Sequence, residues 1–171
     1  MNFSLESAGV TLNRETRRAK STDRFDIFLS HSYKDAELIL GVKLLLQNKG
    51  FSVYVDWLED SHMNHKKVTK ENADILRQRM RQSSSFIWVA SETSSDSKWM
   101  PWELGFFDGF RPNHIAVLPL VDYDNEIFKG QEYLSLYPLV DKEERLNDTF
   151  AQDQETGKRV TLKEFTNHGL I

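Results

Sequence analysis

The chain contains no cysteine, which excludes disulfide staples, thiolate zinc sites and thiol nucleophiles. It also has no basic excess. Its 22 Lys and Arg against 26 Asp and Glu leave a formal net charge of −4, whereas a duplex nucleic-acid binder carries a basic face. No apolar run approaches the roughly 18 residues that a membrane helix requires, and the N-terminus lacks the basic-then-apolar order of a signal peptide. Internal repeats and low-complexity tracts are missing too. His62 and His65 lie in a loop without carboxylate or thiolate partners at ligand spacing, so no metal is expected. These absences point to a soluble, cytoplasmic protein, and 171 residues suit one domain with appendages.

Residues 1–24 read as a polar N-terminal tail or loose helix in which Arg14, Arg17, Arg18 and Lys20 mix with Glu6 and Glu15, a solvated charge run. Residues 25–171 are expected to form the domain, with an irregular C-terminal extension. FDIFLS (25–30) predicts a strand. Asp35 then caps a helix whose Leu38, Ile39, Val42, Leu45 and Leu46 recur with helical period up to Gly50. Residues 51–55 predict a second strand ending at Asp56, followed by the long polar segment DWLEDSHMNHKK, whose length suggests function. A helix over 69–82 is capped by Thr69, with Arg77, Arg79 and Arg81 as a solvated face. SFIWVA (85–90) and HIAVLPL (114–120) predict a third and a fourth strand. A fifth is expected over 133–140, with short helices over 142–150 and 162–167. Alternating strands and helices imply βαβ units, hence a parallel sheet covered on both faces.

The segment SKWMPWELGFFDGF (97–110) organises the rest. It predicts a short helix with Ser97 as N-cap and Pro101 in the first turn, and with Gly105 and Gly109 permitting close approach of a neighbouring backbone. Trp99 and Glu103 stand one turn apart, so an indole and a carboxylate share a face. A carboxylate among Trp102, Phe106 and Phe107 is a site candidate. On spacing alone, the plainer reading is a packed aromatic beside a solvated carboxylate.

Taken together, these segments resemble the Toll/interleukin-1 receptor (TIR) domain family, particularly its bacterial NAD-consuming members, over about residues 25–140. FDIFLSHSYKDAE is similar to the family's first strand and loop, and GFSVYVD to its second strand. The segment after Asp56 occupies the place of the long BB loop, and SKWMPWELG that of the WxxxE helix start. The resemblance implies an α/β flavodoxin-like fold with a central parallel sheet of about five strands and helices on both faces. It implies Glu103 as the catalytic residue, with Trp99, His31, Ser32, Tyr33, Lys34, Asp56 and Trp57 binding substrate in the cleft beyond the strand ends.

The activity so implied is that of an NAD nucleosidase, which cleaves the nicotinamide–ribose bond to give nicotinamide and ADP-ribose or a cyclic ADP-ribose isomer. NAD is then a substrate, and no cofactor is needed. The family further implies self-association through TIR–TIR contacts and antiphage defence signalling, with a nucleotide product acting on a separate effector protein. Two other readings stay open: a non-enzymatic adaptor working by homotypic assembly, and a nucleoside deoxyribosyltransferase-like enzyme. A receiver-like role for Asp56 lacks its companion acidic pair and lysine. The chain departs from the family in having neither glycine nor proline in SHMNHKK. It also has no arginine in the loop after the first strand, where Lys34, Lys66 or Lys67 would have to hold phosphates.

Overall fold

The computed structural model describes residues 18–63, 67–120, 131–143 and 148–170. Its core is a seven-stranded sheet of order β2-β1-β3-β4-β5-β6-β7. The strands are β1 (Phe25–Ser30), β2 (Val53–Tyr54), β3 (Ser83–Ala90), β4 (Ile115–Pro119), β5 (Leu139–Glu143), β6 (Asp148–Gln152) and β7 (Arg159–Thr161). The first five run parallel, in the 2-1-3-4-5 order of a flavodoxin-like fold, while β6 and β7 add antiparallel pairs at one edge.

Strand alternation divides the core into two layers. Ile27, Leu29, Ile87, Val89, Ala116 and Leu118 face α1 (Ala36–Asn48) and α5 (Leu162–His168). Phe28, Phe86, Trp88 and Val117 face the opposite side, against Leu76 and Met80 of α3 (Lys70–Arg81) and Leu104 and Phe107 of α4 (Met100–Asp108). Each β3 side chain from Ile87 to Val89 is no more than 1% exposed, as a central parallel strand covered on both faces requires.

Local signals act where they were expected. Thr69 accepts the Asn72 N–H at the start of α3, and Gly50 takes φ +89° just beyond α1. Asp35 occupies the N-cap position of α1 but makes no side-chain cap bond; its carboxylate instead accepts the Ser91 and Thr93 hydroxyls from the loop after β3. Ser97 accepts the Met100 N–H at 3.3 Å while Trp99 holds the N-cap position of α4. A Cβ on Gly105 would meet nothing within 4 Å, and one on Gly109 only carbonyls of its own helix. Among the described residues no backbone of another element approaches either glycine, contrary to the expectation.

Other departures have physical causes. Residues 132–136 form a 3-10 turn, and the fifth strand starts at Leu139, just after Pro138. The expected helix over 142–150 is instead the end of β5 and the start of β6, paired from Leu139↔Gln152 to Glu143↔Asp148. Its charge pattern suits a helix, but ladder bonds supplied by a partner strand outweigh so weak a local preference. Arg79 is 5% exposed rather than solvated. It grips the fully buried Asp60 with Nε at 2.7 Å and Nη2 at 3.0 Å. It also donates to the Ala19 and Lys20 carbonyls, while Gln82 donates to those of Lys20, Ser21 and Asp23. Residues 18–24 are thereby strapped to α3; residues 1–17 of the expected tail lie outside the described residues.

Candidate active site

The strand order reverses around β1: the chain passes from β1 to β2 on one side and returns to β3 on the other. The crevice beyond the carboxyl ends of these strands is where open α/β sheets bind ligands. Ser30 ends β1 there, in the same alternation phase as Phe28, which turns its side chain toward α4. Its hydroxyl donates to Glu103 Oε2 at 2.6 Å. Glu103 lies in the first turn of α4, its N–H bonded to the Trp99 carbonyl at 2.8 Å.

Glu103 is only 5% exposed. Burial raises its pKa from 4.5 to about 8, the Ser30 hydrogen bond pulls it back in part, and the negative charge of Asp56 pushes it further up. Near neutral pH the side chain therefore holds its proton. Asp56 thus acts on the buried Glu103 as a nearby negative charge.

Asp56 begins α2 (Asp56–Glu59), a single turn immediately after β2. The start of the long polar segment after β2 is firmly held. Glu59 accepts from Lys43 of α1 at 2.6 Å, and Asp60 accepts from Tyr54 at 3.0 Å and from Arg79 of α3. The turn is clamped from both sides of the sheet, and Met63 is buried beyond it. Asp56 Oδ1 accepts the Trp57 N–H at 2.8 Å and lies 3.5 Å from His31 Nε2. The Trp57 indole N–H also points at His31 Nε2, at 3.1 Å. An indole only donates, so Nε2 carries a lone pair, and the ring proton sits on Nδ1, which donates to the Leu29 carbonyl at 2.9 Å.

The fold therefore gathers Glu103, Asp56, His31 and Trp57 from the expected set, and adds Ser30. Ser32 is buried and caps the turn over 33–35, accepting the Lys34 N–H. Tyr33 is exposed, and Lys34 forms an exposed ion pair with Asp96 at 2.7 Å. Trp99 stands at the head of an aromatic row: its ring lies 5.4 Å from Trp102, which stacks on Phe106 at 5.9 Å. Arg77 lies over Trp102 and Arg81 over Phe106, at 5.1 and 5.3 Å. Those two arginines thus cover an aromatic face. Lys67 is exposed, and Lys66 and His65 lie outside the described residues.

Residues 27–151 match the TIR domain family. The chain belongs to this family. A protein of Bacillus cereus (strain MSX-D12), provisionally named 3′ cyclic ADP-D-ribose synthase ThsB′, is 50% identical over 127 residues, which are 73% of this chain and 65% of that protein. A protein of Cytobacillus dafuensis, provisionally named cyclic ADP-D-ribose synthase TIR2, is 29% identical over 93 residues, 54% of this chain and 24% of that protein. The chain thus spans less than two thirds of the length of either curated relative. In this TIR domain Glu103 of α4 is joined to the end of β1 through Ser30, and Asp56 of α2 acts on it electrostatically.

Sequence reasoning missed Ser30 and the clamp. A polar residue in phase with Phe28 at the end of an apolar strand was the available signal for Ser30. Asp60, Arg79 and Lys43 gave none, because the ion-pair partner of each lies at least 16 residues away. Among the described residues no three His, Asp or Glu side chains gather as a metal set, and no helix is long and apolar enough to cross a membrane.

Proposed function

We propose that this TIR domain cleaves the nicotinamide–ribose bond of NAD, with Glu103 as the catalytic carboxylate. Nicotinamide and ADP-ribose or a cyclic ADP-ribose isomer are the products. The observation that carries this reading is a sequestered carboxyl at the strand-end crevice, in a chain whose 50%-identical relative is named for cyclic ADP-D-ribose synthesis. Nicotinamide leaves as a neutral amide and needs no strong acid; what must be stabilised is a ribosyl cation. A pyridinium entering beside Glu103 favours loss of its proton, and the resulting carboxylate opposes the charge that develops on the sugar. Trp99 offers an aromatic face to a cationic or adenine ring. His31, Asp56 and Trp57, which the fold brings together near Glu103, form the remaining wall in this reading. Self-association, a separate effector protein that answers to the nucleotide product, and a role in bacterial antiphage defence belong to the same proposal.

The burial of Glu103 favours a second reading, a non-enzymatic TIR adaptor in which this side chain only joins α4 to β1. Purified chain incubated with NAD, at low and high protein concentration, separates the two when nicotinamide is followed by chromatography and the new nucleotide by mass. Release that disappears in Glu103→Ala supports the enzyme; intact NAD at every concentration refutes it. Deoxynucleosides in a parallel sample test the transferase alternative through free base.

A further inference from the structure

Residues 18–24 precede the sheet, yet they engage much of the buried polar chemistry that lies outside the candidate site. Arg79 donates to the carbonyls of Ala19 and Lys20, and Gln82 Nε2 to those of Lys20, Ser21 and Asp23. Arg79 Nη1 also donates to Gln82 Oε1 at 2.7 Å, so the two side chains fix each other. The same segment reaches the other way, to the turn after β2. The Ala19 N–H donates to the Glu59 carbonyl, and Arg18 forms an antiparallel bridge with Asp60. Glu59 and Asp60 close α2, their N–H groups donating to the carbonyls of Val55 and Asp56 at 2.9 and 2.8 Å. Lys43 and Arg79 hold the side chains of Glu59 and Asp60, whereas residues 18 and 19 hold their backbone. The segment thus ties the end of α3 to the turn whose Trp57 donates to His31.

This attachment is polar. Within residues 18–24 Ala19 alone is buried, while Arg18, Lys20, Ser21, Thr22 and Arg24 are exposed. A segment held by hydrogen bonds with little apolar burial opens locally at far lower cost than the core, and water then satisfies its carbonyls. Arg79 keeps both of its bonds to Asp60 when the segment lifts, so no buried charge is stranded. We propose that residues 18–24 are a releasable strap that regulates the candidate site. Docked, the strap holds the α2 turn where Trp57 meets His31; lifted, it lets that turn loosen, and NAD cleavage falls. The second half of this statement rests on the NAD-cleaving reading, the first does not. Whatever captures the lifted strap lowers turnover by mass action, without touching NAD.

Two variants cut the strap at different places and leave His31, Asp56, Trp57 and Glu103 as they are. Gln82→Ala removes the donor to three strap carbonyls, and Ala19→Pro removes the N–H that reaches Glu59. Gly50→Ala, whose Cβ meets no neighbour, is the control for a general loss of stability. Amide hydrogen exchange of Glu59 and Asp60 in the full chain without NAD reads the turn, and nicotinamide release reads the site. Coupling between sites is typically worth about 5–150-fold, so in both strap variants exchange should quicken and nicotinamide release should slow by at least about fivefold, against less than about twofold in Gly50→Ala. Exchange within about twofold of wild type in either strap variant, or matched by Gly50→Ala, overturns the strap's hold on the turn. Should one strap variant fail to fold, the other decides. A turn that opens while nicotinamide release is unchanged overturns control of the site. Wild type that releases no nicotinamide sinks the NAD reading instead, and the exchange rates still decide whether strap and turn are coupled.

Discussion

Replacing Glu103 by Gln tests the electrostatics of the site without recourse to any activity. A carboxyl whose pKa rises from 4.5 in the unfolded chain to about 8 in the fold binds its proton more tightly when folded. Below pH 4.5 both states hold the proton, and this contribution to stability is fully present. As the pH climbs toward about 8 the unfolded chain has released its proton while the folded chain retains it, so stability falls. Above that both states are ionised and the loss is complete. At 1.36 kcal/mol per pH unit, the full loss is roughly 5 kcal/mol, of which about 3 has accrued near pH 7. Gln cannot ionise and its amide oxygen can still accept the Ser30 hydroxyl. Relative to wild type it should therefore gain little near pH 5, about 3 kcal/mol near pH 7 and up to roughly 5 near pH 9. For a domain of this size, the pH 7 gain corresponds to a Tm higher by about 6–12 °C. Any cost of the buried amide N–H2 is the same at every pH, so the slope decides. Urea unfolding of both proteins at the three pH values measures it, and a stability difference that does not change with pH refutes the buried, protonated Glu103.

The same variant should lose at least about a hundredfold in nicotinamide release, because the charge opposing the sugar cation is gone; chromatography of NAD digests checks this. Arg79→Ala leaves the Asp60 charge buried without its ion-pair partner and should cost about 3–5 kcal/mol in urea unfolding. It should also free residues 18–24 for tryptic cleavage at Lys20 and Arg24, where wild type resists. Gly169 takes φ +74°, and a Cβ there would lie 2.6 Å from the Asn113 carbonyl oxygen. Gly169→Ala should thus lose more than the roughly 1 kcal/mol expected of Gly50→Ala, which meets no neighbour. Lys34→Ala removes an exposed ion pair with Asp96; it should change thermal stability by less than about 1 kcal/mol, and any effect on turnover should appear in KM for NAD.

How much was legible beforehand varied with the range of the interaction responsible. The apolar runs at 25–30, 85–90 and 115–119 and the helical periods of α1 and α3 are local properties, set by side-chain shape and spacing, and they fixed the parallel αβ core and the Thr69 cap. The TIR family pattern, with Glu103 one turn after Trp99, was readable for the same reason. The helix expected over 142–150 failed because strand pairing with 148–152 is a contact between segments, invisible to a window of charges. Arg79 failed because its partner Asp60 belongs to the BB-loop segment.

The amino-acid order by itself determined the elements from β1 to β4, the family and the acidic residue at the head of α4. Only the folded chain decided that Ser30 and Glu103, 73 positions apart, share a hydrogen bond, that Asp56 sits on a turn clamped from both faces, and that its charge acts on a second carboxyl. Sequence spacing governs what neighbours along the chain can do, whereas a buried carboxyl's proton affinity is set by desolvation and by charges that meet only once the sheet has closed.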